Sequence, residues 1–403
     1  MRYQYTASSC IVFVHRVGAI LELTLLCSPL HVLEPLPLFM DRNQWTLALM
    51  ALMRFAHRAF INPVSPLPKF SRLAFTQGAS RLYATLHVDA GLQDNVVDKA
   101  AKPYLSRRLK FNAEHFKQDV SELCTTLNAD YNEGVMNAVL NTYKENFERG
   151  AVLWKATSKE DGVAFRFYER KKVDVVGPAI NNSLISGNHG MIPLITSWAN
   201  FKKNAIASCD FDPAKGLCKT WIWLGGRHPT RDLLVAPNVP GTIRSLERKL
   251  ISAGLHTVRH AAVDWRSSTV NLYFWVPRPL TLPVVNTLIT LPGTPPINEE
   301  KLTLMKPFFK PNGFTFATTI DTATGKFKRV SFYALRLDGN NLPIMGDQLA
   351  TFFKDAPSND KTEMNIVAWS FAGGSNGSSN YIKGERSYIG DLEQVLDAWG
   401  SPI

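Results

Sequence analysis

The sequence predicts an α+β protein built on ten antiparallel strands, arranged as five αββα units with the helices on one side. Three observations carry this prediction. Strand–turn–strand hairpins begin near residues 151, 205, 256, 313 and 363. Helical stretches separate each hairpin from the next. The strands alternate between an aliphatic face and a face that mixes cations, amides and large rings, because side chains on a strand point to opposite sides in turn. A spacing of about fifty residues marks a repeat architecture. Ten such strands make a sheet large enough to close into a barrel with room for a ligand, and an open sheet with helices on one face fits the same spacing.

The chain has 403 residues, 45% hydrophobic and 20% charged, the composition of an ordinary globular protein. Residues 1–86 read differently from the remainder. They hold eight Lys/Arg against Glu22, Glu34 and Asp41, which leaves 37 basic and 31 acidic residues beyond them, a surplus of six. The apolar run 17–27 is interrupted by Glu22 and stops before Pro29, too short for a membrane span of about 20 residues. The stretch 54–86 carries Arg and Ser without an acid, like a mitochondrial transit peptide, and a mis-predicted start or disordered extension fits it better. Residues 87–111 read as a linker and 112–403 as the folded barrel. Five cysteines show no metal spacing, as expected of reduced thiols in a cytoplasmic protein. Cys209 and Cys218 flank one turn, so a cross-strand disulfide is the alternative there. The modest basic surplus favours an anionic small molecule over nucleic acid, since no basic run with interleaved aromatics occurs. No membrane partner is called for, and a monomer is expected.

From residue 112 the elements follow in order. Phe116, Val120, Leu123, Cys124 and Leu127 recur at helical spacing, and a second helix covers 133–146. The first hairpin is 151–156 and 163–168, turning at 158–162. Helices near 177–185 and 193–203 lead to the second, 205–211 and 218–224. A helix at 242–253 leads to the third, 256–265 and 269–276. Helices near 282–290 and 298–305 precede the fourth, 313–320 and 327–335, joined by DTATGK. A helix at 346–354 precedes the fifth, 364–371 and 381–388, and a helix at 391–399 ends the chain.

The faces opposite the aliphatic ones carry the chemistry. They present Trp154 and Arg166 from the first hairpin, Lys219, Trp221 and Trp223 from the second, and Asn271 and Tyr273 from the third. The fourth gives Thr315, Ala317, Thr319, Arg329, Ser331 and Tyr333, and the fifth Lys383 and Glu385. A single Lys or Arg on a strand is ordinarily a solvated outer residue. Here cations recur on second strands beside Trp and Tyr, while helices cover the apolar faces, so the cations are expected in the lumen. Several cations in a low-dielectric cavity need an anion to neutralise them. A diphosphate suits them through charge-assisted hydrogen bonds, and rings beside it suit a carbocation. No DDxxD motif occurs, so a magnesium-dependent isoprenyl synthase is not expected, and His256 and His260 lack partners at metal spacing.

The segments DWRSSTVNLYF, TATGKFKRVSFYAL and YIKGERSYIGDLEQVLDAW together resemble the ABBA-type aromatic prenyltransferases. The resemblance is to the branch that prenylates phenols, hydroxynaphthalenes, phenazines and 4-hydroxyphenylpyruvate, and it spans about residues 112–403. It implies a ten-stranded antiparallel barrel ringed by helices. It implies transfer of a dimethylallyl group from dimethylallyl diphosphate to a carbon of the arene. By position it assigns Lys219, Asn271, Arg329 and Lys383 to the diphosphate, and Tyr273 and Trp221 to shielding the allyl cation. Arg166 stands where some members carry a Mg²⁺-binding aspartate, which resembles the metal-independent members, so no cofactor is expected. Ser267 replaces a second lysine, with Arg266 adjacent as a substitute contact for the diphosphate. Ala317 replaces a tyrosine and enlarges the pocket, and Glu385 stands where metal-independent relatives carry a substrate-binding glutamate. Trp154, His260, Thr315, Ser331 and Tyr333 complete the expected arene pocket. A catalytically silent barrel binding a small aromatic ligand is the alternative.

Overall fold

From residue 151 onward each hairpin pairs with the next, and the last pairs with the first. The computed structural model describes residues 3–7, 10–17, 20–27, 70–78, 81–88, 110–159, 162–373 and 380–400. Ten strands follow one another around the barrel: β1 (Ala151–Thr157), β2 (Val163–Tyr168), β3 (Ile206–Asp212), β4 (Gly216–Pro229), β5 (Thr257–Asp264), β6 (Thr269–Val276), β7 (Phe314–Asp321), β8 (Phe327–Leu337), β9 (Asn365–Ala372) and β10 (Tyr381–Ile389). All neighbours are antiparallel, and β10 closes the barrel on β1 with Glu385 opposite Lys155 and Ser387 opposite Leu153. Closure satisfies the backbone of every strand on both edges, leaving no open edge to aggregate.

Among the described residues 1–102, strands Tyr3–Ala7, Cys10–Val17 and Ile20–Cys27 form an antiparallel sheet, and Phe70–Gly78 pairs with Arg81–Val88. Most of the linker expected at 87–111 lies outside the described residues.

Helices cover the barrel because the outward faces are apolar. Helix Ala113–Thr126 starts at Asn112, whose side chain accepts from the backbone of His115, and buries Phe116, Val120, Leu123 and Cys124. The same Asn cap opens Glu133–Thr142 and Glu299–Met305. On β10 the outward position opposite Phe353 is Gly384, where a Cβ would lie 2.7 Å from the phenyl ring, so glycine lets helix Asp347–Asp355 approach the sheet. The helix expected over 242–253 divides into Gly241–Arg244 and Glu247–Ser252. Cys209 and Cys218 are free thiols.

Trp154 is a correction to the sequence reading. In the first hairpin Leu153 pairs with Arg166 and Trp154 with Phe165, so Trp154 shares the outward face and Lys155, not Trp154, shares the lumen with Arg166. The Trp154 indole stacks on Phe116 at 4.9 Å, meets the edge of Tyr388 at 4.8 Å, and donates to the Pro357 carbonyl at 2.7 Å. It belongs to the seam between barrel and helices. Trp154→Ala should therefore lower stability by about 3–5 kcal/mol and leave the affinity for an aromatic ligand unchanged, as denaturant unfolding and ligand titration of the same variant would read.

Candidate active site

A ring of polar side chains runs around the lumen at the end of the barrel where the hairpins turn. Register places Asp210 opposite Lys219 and Lys219 opposite Asp264. Asn271 pairs with Thr319 and Thr319 with Arg329, while Arg166 pairs with Asp210 on the other side. Lys383 and Lys155 complete the ring. Five cations (Lys155, Arg166, Lys219, Arg329 and Lys383) thus gather at this level of the lumen with three carboxylates (Asp210, Asp264 and Glu385).

The carboxylates are distributed unevenly. Asp210 takes hydrogen bonds from both Lys155 and Arg166. Burial disfavours its charged form, but Arg166 and Lys155 outweigh burial and hold the carboxyl well below the usual range. Arg166 is 2% exposed and also reaches the Tyr168 hydroxyl at 2.5 Å and Glu385 Oε2 at 3.4 Å. Lys219 Nζ lies 3.1 Å from Asp264 Oδ2. Among the described residues, no carboxylate lies within ion-pair distance of Arg329 or Lys383. Arg329 Nη2 is 3.4 Å from Thr319 Oγ1, and Lys383 Nζ is 3.4 Å from Ser331 Oγ, which shares a hydrogen bond with Ser370. Burial, then Arg329, Lys219 and Lys155, push the Lys383 ammonium well below the ordinary lysine value; burial, with Lys155 and Arg329, also lowers Lys219. Asn271 Oδ1, an acceptor, and Arg329 Nε, a donor, are buried with no hydrogen-bond partner. This is a site with positive charge and unused hydrogen-bonding capacity.

Below the ring lies an aromatic level. Trp221 and Tyr273 are 4.4 Å apart, Tyr333 is 5.9 Å from Tyr273, and the Arg166 guanidinium lies 3.9 Å over Trp221. Ala317 stands opposite Tyr273 on β7 and packs in one cluster with Trp221, Tyr273 and Tyr333. Arg166, Trp221, Tyr273, Thr315, Tyr333 and Glu385 line a cavity together with His260, Arg259 and Leu396. Its free space of about 60 Å³ takes about four or five waters. Burial and the neighbouring Arg259 and Arg166 keep His260 well below the ordinary histidine value, hence neutral at physiological pH. The floor is closed by helix Leu392–Ala398: Trp399 stacks on Trp223 at 5.1 Å and meets Tyr168 edge-on at 5.3 Å.

The structure thus brings Lys219, Asn271, Arg329, Lys383, Arg166, Tyr273, Trp221, Tyr333, Thr315, Ala317, His260 and Glu385 to one lumen. Ser331 faces it at the level of the cations, as a partner of Lys383. Two expected residues stand elsewhere: Trp154 on the outer face, and Arg266 on the turn after Asp264, 38% exposed and paired with Asp212 at 3.5 Å. Sequence reasoning missed Lys155, Asp210 and Arg259. The first follows from antiparallel register once Arg166 points inward; the second then follows because it lies opposite Arg166.

Residues 111–400 match the family described as aromatic prenyltransferase Orf2. The chain belongs to this family. An aromatic prenyltransferase of Botryotinia fuckeliana (strain B05.10) is 37% identical over 306 residues, covering 74% of this chain and 98% of the relative. One of Sclerotinia sclerotiorum is 36% identical with the same coverage. The 4-hydroxyphenylpyruvate 3-dimethylallyltransferase of Streptomyces niveus is 35% identical, covering 74% of this chain and 91% of the relative. The crystal structure of AnaPT from Neosartorya fischeri aligns with 12% identity and a TM-score of 0.46, over 69% of this chain and 93% of the other. Membership of the family implies a prenyl diphosphate and an aromatic molecule as substrates. No helix among the described residues is long and apolar enough to cross a membrane.

Two outcomes test the charge arrangement. Lysines whose folded pKa lies below the unfolded value destabilise the barrel at neutral pH, and that cost is relieved as pH rises from the depressed values towards about 10.4. An anion in the ring restores the charged forms, so the thermal shift caused by inorganic pyrophosphate should shrink as pH is raised from 7 to about 9.5. Arg266→Ala, at an exposed pair, should change pyrophosphate affinity by less than about threefold, measured by calorimetry.

Proposed function

We propose that this prenyltransferase transfers a dimethylallyl group from dimethylallyl diphosphate to a carbon of a phenolic or hydroxynaphthalene-type arene, by electrophilic aromatic substitution without Mg²⁺. The observation that carries the reading is the stacking of two levels in one closed lumen. Unneutralised cations stand above, and an aromatic box stands below.

Lys219, Arg329 and Lys383 hold the diphosphate, with Asn271 supplying an amide donor. Their hydrogen bonds strengthen as negative charge gathers on the bridging oxygen, which lowers the barrier to cleavage of the allylic C–O bond. The leaving diphosphate keeps the bonding pair. Tyr273, Trp221 and Tyr333 present ring faces to the allyl cation and keep water from trapping it as an alcohol. A π pair of the arene then forms the new C–C bond. Loss of the proton from that ring carbon restores aromaticity, and the Glu385 carboxylate, lining the same cavity, is the acceptor, directly or through one water.

The metal-independent part of the reading rests on Asp210. Asp264, the other aspartate of the ring, accepts from Lys219 and from the backbone amides of Arg266 and Ser267, and both Asp210 oxygens already receive donors, from Arg166 and Lys155. A bound Mg²⁺ would have to displace both. The relative from Streptomyces niveus is named for dimethylallyl transfer to 4-hydroxyphenylpyruvate, which supports a five-carbon donor and a phenol here.

Incubating the protein in EDTA with C5, C10 and C15 diphosphates and a panel of phenols, naphthalenediols and phenazines should give a C5 adduct by product mass spectrometry. A strict Mg²⁺ requirement would overturn the role given to Arg166, and binding of arenes without any adduct would favour a silent barrel. Arg329→Ala should weaken donor binding about ten- to hundredfold, the worth of a charge-assisted contact, with the fold retained.

A further inference from the structure

Arg259 is a buried cation that the reaction above does not use. It is 5% exposed and lines the aromatic cavity at its floor. A β-bulge between Val258 and His260 inserts it into β5 as an extra residue, and such a bulge re-aims a side chain. Its Nη2 donates to the Trp399 carbonyl at 2.7 Å, and its Nε is buried with no partner. Among the described residues no carboxylate pairs with it. Burial first, then Arg227, lowers its pKa to about 10. Nearby groups offer no compensation: His260 is neutral, Tyr168 is engaged by Arg166, and Glu385 faces Arg166. An unpaired buried charge is costly, and an anion arriving with a ligand would relieve that cost.

Arg259 lies five positions before Asp264 on β5, and Asp264 pairs with Lys219 at the diphosphate level. That is about 17 Å along the strand, so one anion does not serve both. We propose that Arg259 is a specificity-determining residue that binds a carboxylate carried on the arene, turning that end of the substrate to the floor and its hydroxylated ring towards the allyl cation. The acceptor class is then a phenol with a short acid-bearing side chain. This assignment rests on the prenyl-transfer reading of the lumen.

The test compares 4-hydroxyphenylacetate with its neutral analogue 4-hydroxyphenylacetamide by calorimetry, with inorganic pyrophosphate present. The wild-type protein should bind the acid at least tenfold more tightly. Arg259→Gln should lose that preference while keeping its affinity for the amide and for pyrophosphate, and Arg259→Lys should keep part of it. Equal affinities in the wild type, or no binding of the acid, overturn the proposal. A preference that survives in Arg259→Gln also overturns it, since Arg166 would then be the reader. If Arg259 is only a strut for Trp399, Arg259→Gln melts earlier and loses both ligands alike, and Arg259→Lys does the same; that too overturns it. Failure of the prenyl-transfer reading is seen separately, as absence of a C5 adduct with every arene whatever the acid preference.

Discussion

A closed sheet has one face that helices can cover and one that they cannot reach. In this barrel the apolar residues of every strand go outward to the helices, so each polar residue on the alternate positions must turn into a lumen of low dielectric. Charges placed there are expensive unless they meet partners. The Arg166 guanidinium answers this constraint on one wall, joining Asp210, Tyr168 and Glu385 across β2, β3 and β10 and lying against Trp221. Arg329 on β8 and Lys383 on β10 have hydroxyls and ring faces beside them but no carboxylate among the described residues. The asymmetry makes one set of charges structural and the other receptive. Removing Arg166 would leave Asp210 with Lys155 alone and take a cation away from the Trp221 face.

The same economy orders the lumen along its axis. Donors and cations gather at the turn end, where Asp264 and Asp321 also fix the hairpin turns by accepting from backbone amides. Rings fill the middle, and the Trp399–Trp223 stack seals the other end. A diphosphate therefore meets charge before it meets rings, and the group it releases forms away from the water of the mouth. Neutral His260 and the bare Arg259 mark the floor as a second polar station beneath an apolar box.

Much of this could be read from residues alone. The five hairpins, the helices between them and the inward placement of Lys219, Asn271, Tyr273, Arg329, Tyr333, Lys383 and Glu385 follow from period-two alternation and from helical spacing. Both are local, and both leave their trace in the order of residue types. Trp154 shows where that reading stops. Val-Leu-Trp-Lys-Ala has no clean alternation, since Trp and Lys each suit either face, and the longer turn after β1 does not fix its register. Arg266 shows a second limit: a cation beside a motif position looks interchangeable with it, yet its place on the turn carries it to the rim and to Asp212.

The sequence by itself determined the number and order of the barrel strands, the side on which most of their residues lie, and the family. Only the tertiary structure decided which charges are already spent. Lys155 and Asp210 are 55 residues apart in sequence, and Arg166 and Glu385 are 219 apart; no local pattern links them. Closure of the barrel brings them together, pairing those charges on one wall and leaving Arg329, Lys383 and Arg259 for a ligand. That outcome depends on distances across a closed lumen, which a one-dimensional period cannot carry.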